Sequence, residues 1–331
     1  MPALAVARAF RAEDPGGELL LVGRGGGPEE HLVPEAGFPL RTVAIRGFNR
    51  DALAKNLALP AVVPAALREA ARIVEEFRPD VVLGVGGYAM TPSVWAARRR
   101  RIPYVLAVFE SGGLANRIFR RGAAAACVSF PDDVERFPTA RTVLTGYPLR
   151  PGFAPSSPRV PARRLLVMGG SQGAHRINET IWSALDALLE RFEVVTHLTG
   201  EQGRVRSAEF ARSGYRPLAF TPDVAPLMAE ADLVICRAGV GTLAEVTAVG
   251  LPAIVVPGSF GGGHQVRNAD RLARAGAVIK LGDDELASDS LLAAIDGLDG
   301  EQLRAMAAAS RALGRPEAAR DILVVLREVA A

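Results

Sequence analysis

The sequence predicts an α/β protein of two domains, each built on a parallel sheet, and three observations support this class. Continuous runs of Val, Leu and Ile, bounded by Gly or Pro, alternate with amphipathic stretches, as is typical of strands covered on both faces. This scheme runs twice along the 331 residues, a length that suits two domains. Between the two runs, residues 147–162 contain five prolines and two serines, which is linker composition. We therefore expect two Rossmann-like domains, residues 1–146 and residues 163–331.

The first half contains an early helix and four strand-like runs. Apolar residues recur at helical spacing over residues 2–12, and a second helical stretch covers residues 64–77. The predicted strands are residues 17–23, 79–87, 102–109 and 123–130. Since a helix that leads into a buried strand is the middle of a β-α-β unit, we expect a further strand ahead of residue 2, with Met1 an internal methionine.

The second half repeats the pattern. Its predicted strands are residues 163–170, 192–200, 231–239 and 251–258, and helices from residues 285–295 onward are expected to finish this domain. In open parallel sheets, ligands bind outside the carboxyl ends of the strands. We therefore look for functional residues in the turns that lead from strand to helix.

Composition and charge narrow the function classes. Hydrophobic residues make up 49% and charged residues 23%, which is ordinary for a globular protein, and no apolar run reaches the roughly 18–20 residues of a membrane span. Cys127 and Cys236 lie far apart and match no ligand spacing, so we expect buried, reduced thiols. Residues 1–150 hold 20 basic and 15 acidic residues, net +5, whereas the remainder hold 19 and 21, net −2. The first half is the candidate for an anionic partner, but its excess is too small and too poor in aromatic residues for nucleic acid.

The turn after the strand at residues 163–170 is rich in small residues. Ser171, Gln172 and Gly173 follow a glycine pair and precede a helix, whose N-terminal N–H groups could hold a phosphate. The spacing is not GxGxxG, and the next strand ends without the acidic residue that a nicotinamide ribose would need, which disfavours a dinucleotide. A tight structural turn explains the same residues equally well.

Two further turns of the second half carry polar side chains. In the turn at residues 235–250, Thr242 and Glu245 fit a capping box, and Glu245 could alternatively accept hydrogen bonds from two neighbouring sugar hydroxyls. In the turn at residues 256–270, three glycines precede His264, Gln265 and Asn268, which lie within one turn of a helix. The histidine alone could be a cap, but the three polar residues together favour sugar recognition.

These turns carry a family resemblance. The segments GGSQGA, CRAGVGTLAE and GGHQVRNA, in this order, resemble the MurG family, the UDP-N-acetylglucosamine:muramyl-pentapeptide pyrophosphoryl-undecaprenol transferases. The similarity runs along essentially the whole chain and includes residues 21–38, 82–92, 112–117 and 145–150. It implies a GT-B fold, with two domains facing a central cleft, and transfer of GlcNAc from UDP-GlcNAc to lipid I, forming lipid II for peptidoglycan.

The resemblance also implies roles for individual residues. The donor-binding residues would be Ser171, Gln172 and Gly173 at the diphosphate with Arg150 as a nearby counter-charge, Phe220 and Thr221 at the uracil, Glu245 at the ribose, and His264, Gln265 and Asn268 at the GlcNAc. Gly86, Gly87 and Tyr88 would face the acceptor diphosphate. Neither a metal nor a cofactor is implied, since helix N-termini and arginine would stabilise the leaving UDP.

A lipid-linked acceptor would give the basic first half a membrane role. Apolar and cationic residues mix in a patch that could lie on an anionic leaflet, at the cytoplasmic face of the cell membrane. The patch comprises Trp95, Arg98, Arg99, Arg100, Arg101, Ile102, Tyr104, Arg117, Ile118, Phe119, Arg120 and Arg121. A solvated, arginine-rich helix end explains the same residues without a membrane.

The chain departs from the family pattern in three places. The family's HEQN segment is replaced by AVFES at residues 107–111, where Glu110 could stand in for the asparagine, and one of two paired glutamines is His264. The family's GGTGGH loop, whose histidine is the proposed base, is absent, and His31, His175, His197 and His264 do not stand at its place. We therefore assign no catalytic base. A GT-B transferase with another lipid or small acceptor, and a non-catalytic nucleotide-sugar-binding protein, remain alternatives.

Overall fold

The computed structural model describes residues 2–46, 59–109, 113–137, 141–170, 174–258 and 263–331. The chain divides into two compact units, each an α/β layer structure on parallel strands. The first unit comprises Met1–Arg150 and Glu317–Ala331, and the second comprises Pro151–Pro316. The second unit thus begins within the predicted linker.

The strands of the first unit form two parallel ladders. In chain order they are β1 (Leu21–Arg24), β2 (Leu40–Val43), β3 (Val82–Val85), β4 (Tyr104–Val108), β5 (Ala125–Val128) and β6 (Thr142–Leu144). β1 pairs with β2, with Leu21 opposite Leu40, and the second ladder has the order β3-β4-β5-β6. Every residue of β4 and β5 is buried, which explains their continuous apolar sequences.

Helices cover these ladders. They are α1 (Pro2–Glu13), α2 (Glu29–Glu35), α3 (Leu59–Phe77), α4 (Thr91–Arg99), α5 (Leu114–Phe119), α6 (Asp132–Arg136) and, from the far end of the chain, α15 (Ala318–Ala330). Short 3-10 turns cover Tyr88–Met90 and Arg120–Gly122. Helix α1 begins at the second residue, as its apolar spacing predicts, and buries Leu4 and Ala7 against Val33 and Phe38.

The last helix belongs to the first unit, which corrects its predicted place in the second domain. The apolar face of α15 packs Ile322 and Leu323 against Val105 and Ala125 of β4 and β5, beside Val6 of α1. Glu13 accepts hydrogen bonds from Arg320 and Arg327 at 3.0 and 2.7 Å, and these bonds lower its pKa. The prediction was wrong because an amphipathic pattern shows that a helix has an apolar face, but does not show which sheet covers that face.

The second unit holds a six-stranded parallel sheet in the order β12-β11-β10-β7-β8-β9. Its strands are β7 (Arg164–Met168), β8 (Val194–Leu198), β9 (Tyr215–Leu218), β10 (Leu233–Cys236), β11 (Ala253–Val255) and β12 (Val278–Lys280). Its helices are α7 (His175–Ser183), α8 (Leu185–Arg191), α9 (Arg204–Ser207), α10 (Ala225–Glu230), α11 (Val240–Val249), α12 (His264–Arg274), α13 (Ser288–Asp296) and α14 (Gly300–Leu313). From β7 the chain adds β8 and then β9 on one side of the sheet. It then crosses back and adds β10, β11 and β12 on the other side of β7.

A buried carboxylate fixes the entry to this sheet. Asp232 is 3% exposed and accepts hydrogen bonds from the backbone N–H groups of Arg159, Arg163 and Arg164, at 2.7, 2.9 and 2.9 Å. These donors belong to the segment that leads into β7. The carboxylate therefore ties this segment to the start of β10.

Candidate functional site

The reversal of strand order between β7 and β10 marks the candidate donor site of the second unit. The turns after these two adjacent strands lead into α7 and α11, and crevices at such switch points bind ligands in open α/β sheets. Ser171, Gln172 and Gly173, predicted to hold the donor diphosphate, lie outside the described residues. Gly170, just before them, has φ +89, and a Cβ there would meet nothing within 4 Å, so this backbone is open to close approach.

Glu245 lies in α11 and does not serve in the predicted capping box. The helix begins at Val240 with Gly239 as its N-cap, so Thr242 lies inside the first turn, and the capping-box interpretation is wrong. Glu245 is half-buried, and its charge affects the pKa of the Cys236 thiol at the end of β10. Burial, and then the charge of Glu245, raise the pKa of Cys236 to about 12. The carboxylate is therefore close to the carboxyl end of the central strand, where the donor-site prediction needs it.

The three polar residues at the start of α12 bridge neighbouring turns. The side-chain oxygen of Gln265 accepts a hydrogen bond from the Gly258 backbone N–H at 2.9 Å. Asn268 is buried, and its amide nitrogen donates to the carbonyl of Ala238 at 3.2 Å. His264 lies at the first position of the helix, with Nδ1 2.7 Å from Nη2 of Arg267. Gln265 and Asn268 thus hold the turns after β10 and β11 together, whatever they contribute to a sugar.

Two arginines that were not predicted from the sequence connect the turns at the same edge of the sheet. Arg237, which follows β10, forms an ion pair with Asp283 and donates to the Val256 carbonyl at 3.2 Å. Arg176 of α7 donates to the carbonyl of Asp284 at 2.9 Å. The loop after β12 is thereby tied to the turns that flank the switch point. Only the position of Arg237 directly after a strand could have indicated this role from sequence.

The predicted uracil-binding segment follows β9. The ring of Phe220 is 59% exposed, which is unusual for a large apolar side chain. The Thr221 hydroxyl donates to the Asp223 carbonyl at 2.8 Å and accepts from the Asp223 N–H at 3.2 Å, which closes the turn behind the ring. An exposed aromatic ring on an ordered turn can receive a flat heterocycle by stacking.

A buried chain of hydrogen bonds ties α7 to β8. Trp182 Nε1 donates to the Tyr215 hydroxyl at 2.9 Å, and this hydroxyl lies 3.0 Å from Nδ1 of His197. Nε2 of His197 lies 3.0 Å from Oδ1 of Asn178, whose amide nitrogen donates to the Thr199 carbonyl at 2.8 Å.

Each hydrogen bond of this network has one donor and one acceptor when His197 is neutral and carries its proton on Nε2. Burial lowers the pKa of His197 to about 3, which keeps the ring neutral. A buried imidazole with both nitrogens engaged cannot take a proton from a substrate. The ring instead fixes α7, the helix that follows the predicted diphosphate turn.

The predicted acceptor loop lies in the first unit, after β3. Gly86 and Gly87 have φ +57 and +68, and a Cβ on Gly87 would meet nothing within 4 Å. Tyr88 is 40% exposed and accepts a hydrogen bond from Arg24 Nη1 at 3.1 Å. The loop therefore presents open backbone beside an anchored tyrosine. Arg150, predicted at the donor diphosphate, is the last residue of the first unit's main segment.

The structure changes the apolar part of the predicted membrane patch. Tyr104 and Phe119 are 2% and 3% exposed and pack edge to face inside the first unit, so they are not surface residues. Trp95 is half-buried, with the guanidinium of Arg99 over its ring. On helix α5, Ile118 of the predicted patch and Leu114, which was not predicted, are exposed, at 53% and 69%.

The cationic part of the patch is mostly exposed. Arg98, Arg99, Arg100, Arg101, Arg117 and Arg121 are exposed, whereas Arg120 and Ile102 are half-buried. Arg100 pairs with Glu75 at 2.6 Å. In the part of the chain that the structure describes, no helix combines the length and apolar character that a membrane span needs. The same residues contain no group of three His, Cys, Asp or Glu side chains placed to hold a metal ion.

Comparison with known proteins identifies the family. Residues 1–127 match the glycosyltransferase family 28 N-terminal domain, and residues 164–322 match the glycosyltransferase family 28 C-terminal domain. A relative from Anaeromyxobacter dehalogenans (strain 2CP-C) is 38% identical over 347 residues, which cover 99% of this chain and 89% of the relative. A relative from Nitratidesulfovibrio vulgaris is 39% identical over 350 residues, covering 99% and 93%. Both are named UDP-N-acetylglucosamine--N-acetylmuramyl-(pentapeptide) pyrophosphoryl-undecaprenol N-acetylglucosamine transferase.

Solved structures agree with these relatives. The crystal structure of MurG from Acinetobacter baumannii has a TM-score of 0.81 and 28% identity, covering 99% of this chain and 95% of that chain. CalG4, the calicheamicin glycosyltransferase, has a TM-score of 0.69 at 20% identity over 100% and 95%, and shows the shared fold. The predicted class of two parallel-sheet α/β domains of GT-B type is thus confirmed. The chain belongs to the MurG family of N-acetylglucosamine transferases.

Proposed function

We propose that the chain transfers GlcNAc from UDP-GlcNAc to lipid I, the undecaprenyl-diphosphate-linked muramyl-pentapeptide, to form lipid II and UDP. The observation that carries this proposal is the 38–39% identity over 99% of the chain to relatives named for this transfer. The donor is a substrate, and the proposal invokes neither a cofactor nor a metal.

The second unit supplies the proposed donor site. Glu245, near the carboxyl end of β10, would accept from the ribose hydroxyls, and the exposed ring of Phe220 would cover the uracil. Gln265, Asn268 and His264 would contact the GlcNAc from the start of α12. The helix that follows Ser171, Gln172 and Gly173 would stabilise the diphosphate as it leaves.

The proposed reaction is an inverting displacement. The acceptor hydroxyl oxygen attacks the anomeric carbon opposite the diphosphate, the bond from that carbon to UDP breaks, and the hydroxyl proton passes to a base. His197 is excluded as this base, because it is buried and both ring nitrogens are engaged. We assign the proton to no other residue of this chain.

A transfer assay with labelled UDP-GlcNAc and a lipid I analogue tests the proposal directly. Labelled lipid product is expected, and Glu245→Gln should raise the KM for UDP-GlcNAc at least about tenfold, because a ribose contact loses its charge. Val324→Ser, an exposed position of α15 outside the proposed sites, is the matched control and should leave the kinetics unchanged. Failure of the wild-type chain to label the lipid would refute the proposal.

A different acceptor is the second candidate. The segment AVFES at residues 107–111 departs from the family sequence on the acceptor side, whereas the donor-side segments GGSQGA and CRAGVGTLAE resemble the family sequence. Assays with other prenyl-diphosphate sugars under the same conditions distinguish the two. Transfer to one of these and not to the lipid I analogue would favour the second candidate.

We further propose peripheral binding to an anionic membrane surface at the cytoplasmic face. Leu114 and Ile118 are both exposed, and they share one face of α5 because they are four residues apart. Arg117 and Arg121, which are also exposed, lie beside them. Apolar side chains that enter the headgroup region, flanked by arginines, suit an anionic leaflet. Co-sedimentation with phosphatidylglycerol vesicles should be weakened at least about tenfold by Leu114→Ser with Ile118→Ser. Unchanged binding of the double variant would contradict this surface.

A further inference from the structure

In the first unit, the side-chain oxygen of a buried asparagine has no hydrogen-bond partner, at the edge where the acceptor loop lies. Three asparagines of the described chain, Asn116, Asn178 and Asn268, are each 4% exposed. Asn178 uses both ends of its amide, towards Thr199 and His197, and Asn268 donates to Ala238. The side-chain oxygen of Asn116 is buried and has no hydrogen-bond partner. Because an unsatisfied buried oxygen is costly, such a group in a native fold calls for an explanation.

Its position indicates a ligand. Among the described residues, the first unit's other buried side-chain atoms without a partner are Glu29 Oε2 and Ser129 Oγ. Glu29 begins the helix after β1, Asn116 lies in the helix after β4, and Ser129 directly follows β5. All three therefore lie in segments that follow the carboxyl ends of parallel strands, the side on which open sheets bind ligands.

Asn116 also adjoins the acceptor loop. Its helix α5 contacts the turn Tyr88–Met90, which directly follows Gly86 and Gly87. On this helix Leu114 and Ile118 are exposed, whereas Asn116 between them is buried, so the amide faces away from the exposed apolar side. The face of α5 with Leu114 and Ile118 would thus meet the bilayer. The face with Asn116 would meet the headgroup of a lipid-linked substrate, which extends out of the bilayer.

The chemistry of the unpartnered atom selects the group it binds. An amide oxygen only accepts hydrogen bonds, so its ligand must offer an O–H or N–H donor. A diphosphate has only acceptor oxygens at neutral pH and does not satisfy it. We propose that Asn116 accepts a hydrogen bond from a hydroxyl or amide of the acceptor's sugar, a subsite beside the loop Gly86–Tyr88. This inference rests on the proposed function, because it takes the acceptor to be a lipid-linked amino sugar.

Asn116→Leu tests this subsite, because leucine keeps the volume and removes the polar group. We expect a melting temperature at or above that of the wild type, at least a tenfold loss of kcat/KM for the lipid I analogue, and an unchanged KM for UDP-GlcNAc. Asn178→Leu, whose amide is paired at both ends, should instead lower the melting temperature. Ser156→Ala removes another buried unpartnered oxygen, in the second unit, and should leave the kinetics unchanged.

The outcomes separate this proposal from the proposed function. Normal acceptor kinetics in Asn116→Leu, or a fall in melting temperature as large as that of Asn178→Leu, would overturn the subsite and leave the transfer intact. If the leucine variant does not fold, Asn116→Ala carries the same kinetic comparison. If the wild type transfers nothing, the proposed function fails. The subsite is then tested by thermal shift with the analogue: a shift present in the wild type and lost in Asn116→Leu supports it, and equal or absent shifts refute it.

Discussion

The buried ring of His197 should make the second unit lose stability as the pH falls. Its pKa is lowered from 6.5 to about 3 by burial, so below pH 6.5 the unfolded chain binds a proton that the folded unit does not. The stabilisation is fully present above pH 6.5 and is lost as the pH falls from there towards 3. At about 1.4 kcal/mol per pH unit over this window, the free energy of unfolding should drop by about 2 kcal/mol between pH 7 and pH 5 from this ring alone.

Urea denaturation followed by tryptophan fluorescence measures this loss. The chain has two tryptophans, and in a Trp95→Phe background the remaining Trp182 reports on the second unit, since its indole belongs to the same hydrogen-bonded chain. His197→Gln is the matched variant, because glutamine can accept from Tyr215 and donate to Asn178 but does not titrate.

The carboxylates titrate alike in the Trp95→Phe parent and in its His197→Gln variant. Subtracting the pH dependence of the variant's free energy of unfolding from that of the parent therefore leaves the contribution of His197. We expect the parent to lose about 2 kcal/mol more than the variant between pH 7 and pH 5. Equal losses would refute a neutral, buried His197.

Three further predictions concern stability. Asp232→Ala leaves three backbone N–H groups without their acceptor and should lower the free energy of unfolding by about 3 kcal/mol in the same urea assay; a loss below about 1 kcal/mol would contradict the anchoring role. Arg237→Met leaves the carboxylate of Asp283, which is 25% exposed, without its ion-pair partner and should lower the melting temperature by about 4–8 °C. Adding Asp283→Asn should restore part of this loss. Gly84→Ala would place a Cβ 2.9 Å from Met90 and Val94 and should cost about 1–3 kcal/mol, whereas Gly113→Ala, whose nearest neighbour would lie at 3.8 Å, should cost far less; similar losses in calorimetry would argue against overpacking.

The strands that lie within continuous apolar runs could be predicted from sequence, and the strands outside such runs could not. Residues 102–109 and 231–239 contain β4 and β10, because a continuous run of Val, Leu and Ile suits a strand covered on both faces. No predicted strand covers β2, β6, β9 or β12. These strands have three or four residues, and all but β6 include a charged residue, so the neighbouring strand rather than their own composition decides their conformation.

The candidate site divides in a similar way. Gly87 and Phe220 stand in turns after strands and Glu245 lies in the helix that follows β10, so the order of elements suffices to place all three near the carboxyl ends. Asn116 and the Arg237–Asp283 pair depend on contacts between distant segments, which one sequence does not contain. Tyr104 was predicted in the membrane patch because tyrosine is amphipathic, but it is buried. Its burial likewise depends on contacts between distant segments.

The return of α15 to the first unit has a consequence for synthesis on the ribosome. The second unit is an insertion between the two segments of the first, so its six strands have all emerged before α15 is made. Until then the side of β4 and β5 that α15 covers is open, and nascent chains with exposed apolar surface are prone to aggregate. The unit that is begun first is therefore expected to be completed last, and a chaperone bound to the nascent chain would stay longest on its first half.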